Sequence, residues 1–225
     1  MNKFAEFFYT RPKNTIHKWQ HYFEIYDTHF KKFIGKNPSI LEIGVSGGGS
    51  LDMWNDYFDG QCTIHGIDIA ESAKRFQTGN IKITIGDQGD RAFWNKFILD
   101  NPGKFDIIID DGGHTMTQQI ATYEKMYDHM NDGGVYLCED THTSYWVAYG
   151  GGLRNPRSFI EYAKRFVDSL HAYHIPDQTM GLDFRKKTFR VSFYDSIVVL
   201  DRRIDLTPPR SVVQDNGQMR FVDCY

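Results

Sequence analysis

Residues 40–58 read ILEIGVSGGGSLDMWNDYF. A short apolar run (40–45) ends in a glycine-rich turn, and 51–58 then reads as a helix. Outward from this unit the same rhythm repeats. CTIHGIDI (62–69) is a second strand, IKITIG (81–86) a third, FDIIID (105–110) a fourth and GGVYLCED (133–140) a fifth. Helices are expected near 90–100 and over 116–130. Each crossover is long enough for a parallel βαβ unit, so the pattern predicts an α/β fold with a mostly parallel, doubly wound sheet and helices on both faces. Upstream, Ile16, Trp19, Tyr22 or Phe23, Tyr26, Phe30 and Phe33 recur at helical spacing and predict a helix over 15–34, broken by GKNPS. Downstream come a glycine-rich loop, TSYWVAYGGGLRNP, and a helix over 156–172 with Pro156 near its start. Residues 188–203 alternate and predict a closing antiparallel hairpin turning at Asp195-Ser196, while 204–225 reads as a loose tail. The whole chain is expected to form a single domain, 1–225, with its core over 39–203.

The composition narrows the function. A net charge of −3 over 225 residues gives no polyanion-binding surface, so nucleic acid is not an expected partner. Cys62, Cys138 and Cys224 form no CxxC or Cys/His zinc spacing, and Cys62 and Cys138 sit in strand-like runs as small buried hydrophobes. A reducing, cytoplasmic setting fits. MNKFAEFFYTRPKN has no apolar run of signal-peptide length, and no segment is long enough to cross a bilayer.

Two groups of residues carry chemistry. The first is the turn EIGVSGGGS with the ends of the next two strands. A P-loop would need GK[ST], and the dinucleotide fingerprint would need GxGxxG; neither is present. That argues against an NAD-dependent oxidoreductase. Instead an acid, Glu42, precedes the first glycine, Gly44, by two positions, which resembles class I S-adenosylmethionine methyltransferases. Ser50 opens the following helix. Asp68 ends the second strand, where an acid accepts from both ribose hydroxyls, and Asp87 or Gln88 ends the third, in reach of an adenine amino group. The second group is acidic: Asp110-Asp111 ends the fourth strand and Glu139-Asp140 the fifth. Side chains alternate along a strand, so one of Asp110 and Asp111 faces the cofactor and the other the substrate pocket. Such a set needs a counter-charge, and a hard divalent cation such as Mg²⁺ or Mn²⁺ with oxygen ligands supplies it. His114 and His142 follow the two acid pairs and are candidate bases; His17 and His21 read as surface residues.

Together EIGVSGGGSLDMW, GIDI, FDIIIDDGGH and EDTHTSYW…YGGG resemble the metal-dependent sugar O-methyltransferases of macrolide biosynthesis, over roughly residues 15–200. The acid spacing is also similar to a Mg²⁺-binding cephalosporin-tailoring group. The glycine loop departs from the commonest ExGxGxG form, because Ser46 replaces the middle glycine. The resemblance implies a Rossmann-like class I fold with a seven-stranded sheet and a C-terminal antiparallel strand. It implies Asp111, Glu139 and Asp140 as metal ligands, His114 as the base, and Glu42, Gly44, Asp68 and Gln88 at the cofactor. Asp110, Asp87 and Ser50 join that cofactor set, and His142 is added as a second candidate catalytic residue. The macrolide enzymes carry a further N-terminal domain that is not expected within these residues. The expected reaction is transfer of a methyl group to a hydroxyl of a deoxysugar or other hexose, on a glycan or a glycosylated small molecule, with Tyr145 and Trp146 as a stacking wall and a homo-oligomer as a possible assembly. The rivals are a catechol or other small diol as acceptor, and a non-catalytic cofactor-binding module.

Overall fold

Alternation along the strands sets the layers. In a computed structural model that describes residues 2–176 and 181–223, β1 (Ser39–Ile43), β4 (Phe105–Asp110) and β5 (Met130–Cys138) send Ile40, Ile107, Ile109, Val135 and Leu137 to one face of the sheet. Leu41, Ile43, Ile108, Tyr136 and Cys138 go to the other. With β2 (Thr63–Asp68), β3 (Ile81–Ile85), β6 (Thr188–Tyr194) and β7 (Ile197–Arg202) they build a seven-stranded sheet in the order β3-β2-β1-β4-β5-β7-β6. Pairings among β1 to β5 are parallel, and β7 runs antiparallel to both of its neighbours. The hairpin turns at Asp195-Ser196 as expected, with Ser196 at φ 63°. The order reverses beside β1, between β1 and β4, which opens a crevice at the carboxyl ends of the strands.

The first face packs on α1 (Lys3–Thr10), α2 (Tyr22–Phe30) and α3 (Gly49–Tyr57); the second packs on α4 (Arg91–Asp100), α5 (Met116–Met126) and α6 (Phe159–Leu170). Helix α1 was not expected from the sequence. Asn2 caps it by accepting from Ala5 N, and Phe4 is fully buried, stacked on Tyr57 and edge-on to Tyr26 and Trp54.

The expected helix over 15–34 is corrected: it begins only at Tyr22. Ahead of it the chain lies extended as a strap on the glycine loop, where Thr15 O accepts from Gly49 N at 3.1 Å. A Cβ on Gly47 or Gly49 would meet Thr15 or Ile16 within 2.8 Å, so helical periodicity here loses to the fit of backbone on backbone. The expected loose tail is corrected too: β8 (Arg210–Asp215) and β9 (Gln218–Asp223) form a hairpin around Asn216-Gly217, both at positive φ, as a two-residue turn requires. Cys62 and Cys138 are buried and free, and Cys224 lies outside the described residues.

Two outcomes test this packing. Phe4→Ala is expected to cost about 3–5 kcal/mol in urea unfolding, with an unchanged denaturant slope. His65, on β2 with Nε2 2.7 Å from Thr84 Oγ1, is pushed down to about 4 by burial and then by Lys82. Its folded value lies below the ordinary 6.5, so the unfolded chain binds the extra proton between them and stability falls as pH drops through that window. His65→Gln should flatten the decline by up to about 1.4 kcal/mol per pH unit in urea midpoints measured across it.

Candidate active site

The glycine loop is held from both sides. Gly44, at φ 94°, lies so close to β4 that a Cβ would sit 2.0 Å from the Asp111 carbonyl oxygen. Asp68 Oδ2 accepts from Val45 N at 3.0 Å and Ser46 N at 2.8 Å, and its Oδ1 accepts from Ala70 N. Ser46 sits at φ 47°, the left-handed conformation that glycine adopts at least cost. These elements enclose a cavity of about 200 Å³ lined by Gly44, Ser46, Asp68, Asp87, Gln88 and Gly112, among others. A second cavity of about 230 Å³ adjoins it, sharing Gly44, Ser46, Asp111 and Gly112, and is walled by the strap, Ser50, His114 and Asp140. The crevice therefore has one end at β2 and β3 and another under the strap.

Alternation then sorts the acids. Asp110 follows Ile108 to the α4–α5 face and is fully buried. It accepts from Gln88 Nε2 at 2.9 Å and from Tyr136 OH at 3.3 Å, and burial pushes its carboxyl up to about 7. Asp110, expected at the cofactor, lines neither cavity, because its strand position points it into the core. Gln88 is spent in the same network. Its Nε2 also donates to Thr122 Oγ1, its Oε1 accepts from Gly113 N, and its carbonyl accepts from Trp94 Nε1. It borders the cavity while its amide braces the β4 turn. Asp87 is exposed at the cavity edge, accepting from Gly89 N.

Glu42, Asp111 and Glu139 share the opposite parity and converge beside the strap. Glu42 is fully buried; Oε1 accepts from Trp54 Nε1 at 2.9 Å, while Oε2 has no partner. Burial pushes it up to about 7, against the pull of Lys18. Sequence reading missed Lys18 itself. Its side chain is 2% exposed, and Nζ donates to Asp111 Oδ2 and, at 2.8 Å, to Glu139 Oε2. Burial pulls the Lys18 ammonium down, but Asp111 and Glu139 more than offset it, and the net shift is upward. Glu139 Oε1 accepts from Tyr26 OH at 2.7 Å. Asp140, at φ 52°, accepts at Oδ1 from Tyr22 OH at 2.7 Å.

Asp111, His114 and Asp140 each present one ligand atom, and all three atoms lie within 4.8 Å of one another. His114 Nε2 lies 3.4 Å from Asp140 Oδ2 and 3.9 Å from Asp111 Oδ1. The residue is held at φ 56°, with its carbonyl accepting from Thr143 Oγ1. His142 stands outside both cavities. Its Nδ1 meets Ser196 Oγ at 2.5 Å, and its ring lies edge-on to Trp146 and Trp19, which are each 50% exposed. Trp19, expected within the helix over 15–34, lies instead on the strap and forms an exposed aromatic rim with Tyr145 and Trp146. His17 and His21 are exposed, and His21 Nε2 bonds the Asp195 carbonyl.

No family model matches the chain. It is similar to the 8-demethyl-8-alpha-L-rhamnosyl tetracenomycin-C 2'-O-methyltransferase of Streptomyces olivaceus, 34% identical over 70% of this chain and 43% of that protein. It is 36% identical to the mycinamicin VI 2''-O-methyltransferase of Micromonospora griseorubida, over 67% of this chain and 40% of that one. Its homologues are sugar O-methyltransferases. A solved structure of MycE, a methyltransferase of the mycinamycin pathway in complex with Mg, SAH and mycinamycin VI, superposes with a TM-score of 0.79 at 26% identity, covering 91% of this chain and 54% of that one. The fold is thus the class I methyltransferase fold. The chain spans less than half the length of the curated sugar O-methyltransferases it matches.

Gln88 is the keystone of the β4 turn in this methyltransferase fold. Gln88→Leu would leave the buried Asp110 carboxylate and the Gly113 amide short of partners. It is expected to cost at least about 2 kcal/mol in urea unfolding.

Proposed function

We propose that the chain is an S-adenosylmethionine-dependent, divalent-metal-dependent O-methyltransferase acting on a sugar hydroxyl. The observation that carries this reading is the pairing of a glycine-walled cavity with three inward ligand atoms at its far end. The cavity wall suits the cofactor. Gly44 and Gly112 let the loop, the β4 turn and Gln88 pack closely at the cavity wall, since a Cβ would lie 2.0 Å from the Asp111 carbonyl oxygen at Gly44 and 1.8 Å from Gln88 Oε1 at Gly112. Glu42, expected at the cofactor, is buried with Oε2 unpartnered and lines neither cavity. Asp111 and Asp140 suit a hard cation, which takes one or two carboxylates and fills its other positions with water and substrate oxygens. When bound, the metal supplies Lewis acidity to a hydroxyl and the cofactor supplies the methyl group.

The chain's own residues do the rest. His114 lines the cavity and would accept the hydroxyl proton as the oxygen displaces S-adenosylhomocysteine from the methyl carbon. Its left-handed conformation and the Thr143 bond fix the backbone that carries the ring. Tyr22 fixes the rotamer of Asp140. Trp19, Trp146 and Tyr145 offer exposed aromatic faces beside the crevice, which suits the apolar face of a hexose or deoxyhexose on a glycosylated small molecule. The named activities of the relatives support this acceptor class. No helix among the described residues is long and apolar enough to cross a membrane, and we place the enzyme in the cytoplasm.

Calorimetric titration of S-adenosylhomocysteine is expected to show binding to the wild type, and equally to His114→Ala. Transfer of a labelled methyl group to a panel of rhamnosyl, olivosyl and catechol acceptors should be restricted to the glycosides and be lost, by at least about 100-fold, in His114→Ala. Absence of S-adenosylhomocysteine binding would remove the cofactor assignment, and preferred transfer to catechol would move the acceptor to a small diol.

A further inference from the structure

The two edges of the seven-stranded sheet end differently. At β3 the outward backbone groups are filled. Ile81 N donates to Thr78 O at 2.7 Å, Ile81 O accepts from Thr78 N at 3.0 Å, and Ile83 N donates to Gln77 Oε1 at 3.1 Å. At β6 the edge is open. The turn at Asp195-Ser196 makes Tyr194 and Ile197 a hydrogen-bonded pair across a two-residue loop. Alternation then bonds Ser192 inward to β7 and turns the N–H and C=O of Val191 and Phe193 outward, where nothing among the described residues bonds to them. Edge strands are usually blunted by lysine, proline or a bulge. Residues 190–194 contain neither lysine nor proline, the bulge lies before them, between Thr188 and Arg190, and Arg190 Nε is paired with Asp201 at 2.7 Å. Phe193 and Tyr194 remain 44% and 38% exposed there.

We propose that this edge is a dimer interface: β6 pairs antiparallel with β6 of a second copy about a two-fold axis through Ser192, joining the two sheets edge to edge. The outward groups set the register. With Ser192 on the axis, Val191 of each copy faces Phe193 of the other, and every outward group of these residues is bonded. A shift of two residues would set Phe193 against the bulge at Phe189. The same register is self-complementary in its side chains. Val191, on the α6 face of the sheet, meets Phe193. On the other face Arg190, beside Asp201, meets Tyr194, whose hydroxyl lies 2.9 Å from His29 Nε2. Ser192 meets itself. Aliphatic thus opposes aromatic, guanidinium opposes phenol, and no like charges are opposed. A second copy fits better than a foreign strand because one surface supplies both halves of each pair. The seam is small, so the dimer is reversible. Because the paired strands are antiparallel, the two crevices open at opposite ends of the joined sheet. Nothing in this pairing depends on the methyltransferase chemistry.

Sedimentation equilibrium of the full chain is expected to show monomer and dimer with a Kd on the order of 10 µM. Phe193→Lys should weaken the dimer at least about 10-fold, and so should Tyr194→Lys, which sets a lysine against Arg190 of the second copy, whereas Tyr194→Glu should hold or tighten it. Both Tyr194 variants lose the contact with His29, so a difference between them reads the pairing and not the fold. Ser192→Cys, in a Cys224→Ser background, should form an intermolecular disulfide on mild oxidation, and Phe193→Cys should not, because only residue 192 meets itself. Should Phe193→Lys not fold by circular dichroism, Phe193→Gln replaces it. A wild type that stays monomeric at about 0.5 mM, a dimer indifferent to Phe193→Lys, equal weakening by Tyr194→Lys and Tyr194→Glu, or cross-linking at 193 in place of 192 overturns the proposal.

Discussion

Everything at the carboxyl edge of the sheet depends on one constraint: carboxylates brought together by parallel strands must be neutralised or turned away. The fold uses both answers. Asp110 is turned into the opposite face and bonded to Gln88 and Tyr136. Asp111 and Glu139 are held by a lysine that enters from outside the sheet. That lysine fixes where the strap lies, and the strap in turn closes one wall of the crevice. The buried ammonium and the acid pair are costly separately and tolerable only together.

The loop and the β4 turn divide binding from bracing. Gly44 allows the loop to touch the Asp111 backbone, and Asp68 holds two loop amides from the β2 side. Gln88 ties β3, the β4 turn and α5 into one network. Residues at the sequence positions of cofactor ligands thus spend much of their bonding capacity keeping the crevice in shape. A rigid frame of this kind is what positions a small ligand against a reacting group at low entropic cost.

The superposition on MycE covers 91% of the chain. The strap walls the second cavity. Trp19 and Lys18 are neighbours in sequence and do opposite things there: one stays half-exposed on the rim and the other is almost wholly buried among acids. An extended strap places alternate side chains on opposite sides, and a helix through the same residues would not.

Sequence periodicity by itself determined the strands, the order of elements, the closing hairpin and the placing of Glu42, Asp68, Asp111 and Asp140 at strand ends, because strand alternation and glycine turns are local properties. It also contains the Asn216-Gly217 turn signal of the C-terminal hairpin. Only the tertiary structure decided which of two adjacent aspartates faces the crevice, that residues 14–21 are a strap and not a helix, and that the counter-charge for Asp111 and Glu139 is Lys18, which lies 93 and 121 positions away from them. Those outcomes come from long-range electrostatics and backbone contact, and the energy of a buried charge depends on neighbours that no local window contains.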